Sequence, residues 1–137
     1  MQEPEIVRAP LLNLTLGTAI NSFVIEENEA PGNSTETPEK VAPLHLHRNE
    51  DEAWYVLKGA LRFQCGGREF TAEAGSGVLL PRGRAHTFWN PRAEPTRYLL
   101  IMGPQTAGLL EALHAPNRSS DLDLKQLFAS FEIDLLE

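Results

Sequence analysis

Sulfur is scarce in this chain, which holds one cysteine, Cys65, and two methionines among 137 residues. A lone cysteine excludes an internal disulfide framework and is consistent with a reducing compartment. Long apolar runs are missing too: none approaches the roughly 18 residues that a bilayer crossing needs. The opening stretch MQEPEIVRAPLLNLTLG has no basic segment followed by an unbroken apolar core, so no signal peptide is expected. A cytoplasmic location is the expectation. Positive charge is in short supply, with 12 lysines and arginines against 19 acidic residues and a formal net charge of −7. That balance argues against a nucleic-acid binder, which normally presents a basic face. No nucleic-acid or membrane partner is expected. The local exception is PRGRAHTFWNPRAEPTR, with Arg82, Arg84, Arg92 and Arg97. It reads as a solvated loop or as an anion-attracting rim around a pocket.

What is present suits a turn-rich globular fold: 42% apolar residues, 10 glycines and 10 prolines. The length fits one domain over residues 1–137, with a barrel core at about 5–103 and a helical segment at about 105–136. Short β-rich segments recur between turn formers. Strands are expected near Glu5–Ala9, Leu11–Leu16, Ile20–Glu26, Val41–His47, Ala53–Lys58, Ala60–Cys65, Arg68–Ala72, Gly77–Pro81, His86–Asn90 and Thr96–Met102. In ALRFQC, Leu61, Phe63 and Cys65 alternate with Arg62 and Gln64, the pattern of a half-buried strand. CGGRE signals a tight hairpin, because two glycines supply the positive φ such turns require. The polar stretch Glu27 to Lys40 reads as a loop, of the kind that is disordered or covers a site. After Gly103, QTAGLLEALHAP reads as a short helix closed by Pro116. Leu124, Leu127, Phe128 and Phe131 then fall at helical spacing and are expected to pack on the barrel. Ten β segments with terminal helices indicate an all-β sandwich or jelly-roll barrel.

The chemistry concentrates in APLHLHRNEDEAWYVLKG. His45 and His47, two apart on a strand, project from one face and can reach one ion. Glu52 would lie on the opposite face of a straight strand, but RNED has turn-forming character, so Glu52 is expected to open the next strand beside the histidines. In GSGVLLPRGRAHTFWN, a strand, a proline–glycine turn and a returning strand make His86 the first residue of the return, above Phe88. His114 stands outside both segments and reads as a helix surface residue.

The two segments resemble the two signature motifs of the cupin superfamily. His45, His47, Glu52 and Gly59 match the first, and Gly75, Pro81, Gly83, His86 and Asn90 match the second. The segments span well over a third of the chain. One position departs: the glycine often found six residues before the first histidine is Glu39 here, which concerns a turn and not a ligand. The resemblance implies a cupin double-stranded β-helix (jelly-roll barrel) with a short C-terminal helical extension. It also implies His45, His47, Glu52 and His86 as ligands of one divalent transition metal ion. Three imidazoles and a carboxylate without thiolate suit iron, manganese, nickel, copper or zinc.

Gly59, Gly75, Pro81 and Gly83 are expected to shape turns, Asn90 to brace its loop, and Cys65 to be a buried small side chain. Trp54, Phe63, Arg84, Phe88 and Tyr98 are the expected substrate pocket, with Arg84 or Arg97 orienting an anionic substrate. The resemblance implies a metal-dependent enzyme acting on a small organic molecule, dioxygenase-like, with Glu52 as a base and a homodimer as the assembly. A non-catalytic metal or small-ligand binder, or a sugar or keto-acid isomerase or epimerase, is the alternative, because fold does not fix chemistry.

Overall fold

The structure is a computed structural model and describes residues 2–6, 15–18, 20–33, 38–116 and 123–137. Ten strands and two helices follow in the order β1 (Thr15–Leu16), β2 (Val24–Ala30), β3 (Lys40–His47), β4 (Glu52–Lys58), β5 (Ala60–Cys65), β6 (Arg68–Glu73), β7 (Gly77–Leu80), β8 (His86–Trp89), β9 (Thr96–Met102), α1 (Pro104–Leu113), α2 (Leu124–Ser130) and β10 (Ile133–Leu135). They form two five-stranded antiparallel sheets, ordered β1-β2-β9-β4-β7 and β10-β3-β8-β5-β6. The chain changes sheet at every step from β2 to β5 and from β6 to β10. This is a double-stranded β-helix with C-terminal helices, as expected from the sequence. Among the described residues, no helix is long and apolar enough to cross a membrane.

Alternation along the strands decides what faces inward. On β4, Glu52, Trp54 and Val56 are buried while Tyr55 and Leu57 are exposed; on β9, Thr96, Tyr98, Leu100 and Met102 are buried. Across the space between the sheets Trp54, Phe63, Phe88 and Tyr98 pack at centroid separations of 5.1–5.9 Å, mostly edge to face. The β5–β6 hairpin turns on Gly66 and Gly67 at φ 54° and 87°, as CGGRE predicts. At Gly59 (φ 87°) a Cβ would stand 2.4 Å from Thr96 Oγ1, a hydroxyl that bonds both the N–H and the carbonyl of Ala60. Buried Asn90 braces its loop: its amide donates to the carbonyls of Ala30, Pro31 and Glu94, and its oxygen accepts from the N–H of Arg92.

Three expectations change. β2 runs Val24–Ala30, so residues 27–30 are strand and not loop, while 20–22 form a turn and bend. The polar sequence concealed the strand because Glu26 and Asn28 share the inward face with Val24 and Ala30, while Glu27 is buried in an ion pair with Arg97. The helical segment does not reach 136: Glu132, at φ 62°, ends the turn after α2, and Ile133–Leu135 pair antiparallel with His47–His45 of β3. Residues 2–6 carry no strand, and most of the expected Leu11–Leu16 strand, with residues 7–9 and 34–37, lies outside the described residues.

Candidate metal centre

β3 supplies two side chains and breaks its own regularity in doing so. Its pairing with β8 shifts register between Lys40 and His45, around Pro43, which has no N–H to give to a ladder. His45 then pairs with His86, the first residue of β8. Residues 48–51 carry the chain to the opposite sheet, so that Glu52 opens β4 facing the histidines. Two contacts fasten this turn to the one before β8. Gly83 N–H donates to the His47 carbonyl at 2.7 Å, and Asp51 accepts from the backbone and guanidinium of Arg82 at 3.0 and 3.2 Å.

The four side chains meet in a buried cluster in which one ligand atom from each lies within 4.8 Å of all the others. His45 Nε2 is 3.1 Å from His47 Nε2, and Glu52 Oε1 is 3.1 Å from Nε2 of both His47 and His86. Each imidazole turns its Nδ1 away from the centre toward an oxygen: the Pro43 carbonyl for His45 (2.6 Å), the Thr106 hydroxyl for His47 (3.0 Å) and the Arg84 carbonyl for His86 (3.4 Å). A donor N–H on Nδ1 leaves the Nε2 lone pair for an ion, the arrangement by which outer partners orient metal-bound histidines.

Electrostatics match. Burial, then the neighbouring His86, lowers the His45 pKa to about 4, so it is neutral at neutral pH. Burial alone would raise the Glu52 carboxyl, but in the ion-free cluster the hydrogen bonds and charge of His47 and His86 hold it down at about 2, contacts that an ion at both Nε2 atoms would replace. A neutral imidazole and an ionised carboxylate are the forms that bind metals. Three nitrogens and one oxygen, converging without thiolate, fit one divalent transition ion. Cys65, at the end of β5, is not part of the cluster.

Beside the cluster opens a cavity of about 560 Å³, walled by β2, β3 and β9 and roofed by α1 and α2. Of the expected pocket residues, Phe88 and Tyr98 line it. Trp54 and Phe63 do not: at 1% and 0% exposure they are packed against other rings beneath it. Arg84 is also outside it, exposed on the β8 turn with its guanidinium beside Gly66. Arg97 lies on the outward register of β9, paired with Glu27.

Other residues have roles that the sequence did not indicate. His114 lines the cavity from the end of α1, and Leu109, Leu113 and Phe128 form its apolar roof, with the Phe128 ring 6.4 Å from that of His45. Thr106 joins His47 to Glu50: its hydroxyl donates to Glu50 Oε1 at 2.8 Å, which leaves its oxygen free to accept from His47. Glu50 in turn accepts from the backbone N–H groups of Gln105 and Thr106 at 2.8 Å each. It thereby caps a helix whose own N-cap residue, Gly103, offers no side chain. The only signal in the sequence was a polar residue in the first turn of an apolar helix.

Residues 34–102 match the family model described as Cupin domain. No curated protein matches the chain. Among solved structures, it resembles a candidate sugar phosphate isomerase of Acidithiobacillus ferrooxidans (26% identity, TM-score 0.51, 61% of this chain and 51% of that one). It also resembles the cupin domain of Cnp3 from Schizosaccharomyces pombe (16%, 0.56, 71% and 66%) and a sugar phosphate isomerase from Silicibacter pomeroyi (24%, 0.51, 61% and 51%). The match thus spans about half the length of the two bacterial proteins.

Proposed function

Because the chain belongs to the cupin family, we propose that His45, His47, Glu52 and His86 hold one divalent transition metal ion and that the protein is a dioxygenase-type enzyme for a small organic molecule seated in the adjoining cavity. The observation that carries this reading is the common orientation of the three imidazoles, each with Nδ1 bound outward and Nε2 aimed at the Glu52 carboxylate or its neighbours. When bound, such an ion supplies Lewis acidity toward a substrate oxygen and, as iron or copper, electron exchange with dioxygen. The chain's own residues do the rest. Phe88, Leu100, Leu109 and Phe128 offer an apolar body of the substrate a dry wall. Glu52, at the cavity edge, is placed to take a proton from the substrate oxygen.

Oxygen uptake tests it. Iron- or copper-loaded protein should consume dioxygen with a phenolic or diketone substrate, and His86→Ala should abolish the uptake. Stoichiometric metal with no uptake on any such compound would move the protein to the isomerase or binder class. We also propose a homodimer, supported by Tyr55, Leu57 and Leu79 standing exposed on the outer faces of β4 and β7. Sedimentation equilibrium should return twice the 15.2 kDa chain mass, and a single chain mass would overturn that assembly.

A further inference from the structure

We propose that the cavity selects its substrate by charge, taking a neutral or cationic molecule with an apolar body and excluding phosphates and carboxylates, through a polar wall on β2 centred on Glu26 and Asn28. The inference rests on the metal-centre reading for where the reactive end of the molecule sits, and adds what the other end must be.

Three observations point the same way. First, Glu26 and Asn28 occupy inward register positions on β2, opposite Leu100 and Tyr98 of β9, and both line the cavity. β9 separates β2 from β4, so two strand spacings, roughly 10 Å of sheet, lie between Glu26 and the strand that carries Glu52. A molecule with one end at the cluster and the other at β2 would be of phenol-to-naphthol length. Second, the Asn28 amide donates to Glu26 Oε1 at 2.8 Å, which fixes the carboxylate while leaving it able to accept further hydrogen bonds. Third, among the described residues no lysine or arginine lines this cavity, whereas the inward-facing Glu26 and Glu52 do. Arg97, the nearest candidate for an anion clamp, is paired with Glu27 on the other face of the sheet.

An anionic end placed at this wall would lose hydration and meet a carboxylate with no compensating cation. A hydroxyl or ammonium would instead donate to Glu26. Such rejection through a repulsive group is specificity by exclusion. Arg84 and Arg97, which suggested an anionic substrate in the sequence, both lie outside the cavity.

The test uses the full chain loaded with zinc, which binds oxygen donors without turnover, and calorimetric titration with 4-methylcatechol, 4-(aminomethyl)catechol and 3,4-dihydroxybenzoate. The neutral and cationic probes should bind at least tenfold more tightly than the carboxylate. In Glu26→Gln that preference should shrink toward parity, with a circular dichroism melt confirming the fold. Carboxylate binding equal to or tighter than the neutral probe in the wild-type chain, or no binding of any probe, would overturn the inference whatever the variant does. Zinc content measured on the same sample separates the two ideas. Zinc bound without charge preference sinks the substrate class and leaves the metal centre standing. Absent zinc sinks the metal centre, and the same three probes titrated into metal-free protein still decide the charge preference.

Discussion

At Thr106 a single hydroxyl connects a helix terminus to an imidazole. Its proton goes to Glu50, which already holds two backbone N–H groups of α1, and its oxygen receives His47 Nδ1. Removing it in Thr106→Val leaves a buried Nδ1–H without an acceptor and frees the ring to turn. Metal affinity should fall roughly 10- to 100-fold, the usual effect of losing an outer partner, measured by competition with a chromogenic chelator. Thr106→Ser should restore it; equal affinity in all three proteins would show that the contact orients nothing. His45 makes a second prediction. Its folded-state pKa of about 4 lies below the ordinary 6.5, so between those values the unfolded chain binds a proton that the native chain does not. The ion-free protein should therefore hold this stability above pH 6.5 and lose roughly 3 kcal/mol of it as the pH falls to 4. Glu52 acts in the same direction lower down, from 4.5 toward about 2. Urea midpoints taken from pH 7.5 to 4.5 should decline, and a flat profile would mean that His45 is not buried in its neutral form.

At the scale of elements, the four residues of the cluster were legible and their supports were not. His45, His47, Glu52 and His86 could be placed from sequence because strand alternation and local turn residues determine where each points. β10 could not: Ile133–Leu135 is too short to display a period, and the preceding helix ends without a glycine, on Glu132 in a left-handed conformation. Yet β10 forms the edge against which β3 lies, with Ile133 opposite His47 and packed with Leu109 and Phe128. Arg48 reinforces the edge by pairing with Glu132 and Asp134, an exposed contact of small worth. Ile133→Ala should cost roughly 2–5 kcal/mol, as truncation of a buried isoleucine does, and should loosen metal binding along with it. A loss under about 1 kcal/mol by urea unfolding would show that β10 is dispensable. β2 was misjudged for the opposite reason, since its inward side chains line a cavity and therefore include Glu26 and Asn28 where a core strand would show apolar residues. At the start of α1, a Cβ on Gly103 would stand 2.2–2.8 Å from the Glu50 carboxylate. Gly103→Ala should therefore expel that cap and lower stability by roughly 1–2 kcal/mol, read as a lower melting temperature.

In the whole molecule, the His/Glu cluster and the core are stacked. Trp54, Phe63 and Phe88 fill the space between the sheets, and the Trp54 ring lies edge-on to His86 at 5.8 Å, so the cluster rests on packed aromatics while the cavity opens to its side. The sequence motifs indicated this closure; they did not indicate that α1 and α2 would roof the site, because helix-to-barrel docking is set by contacts far apart in sequence. An ion held by His45, His47, Glu52 and His86, from β3, β4 and β8, would tie both sheets together and by mass action stabilise the native chain. The most direct measurement is elemental analysis of the purified full chain beside a His45→Ala, His47→Ala double variant, both loaded and then dialysed. The account predicts close to one iron, manganese, nickel, copper or zinc ion per wild-type chain and almost none in the variant. No retained metal in the wild type, or equal metal in both proteins, would contradict it.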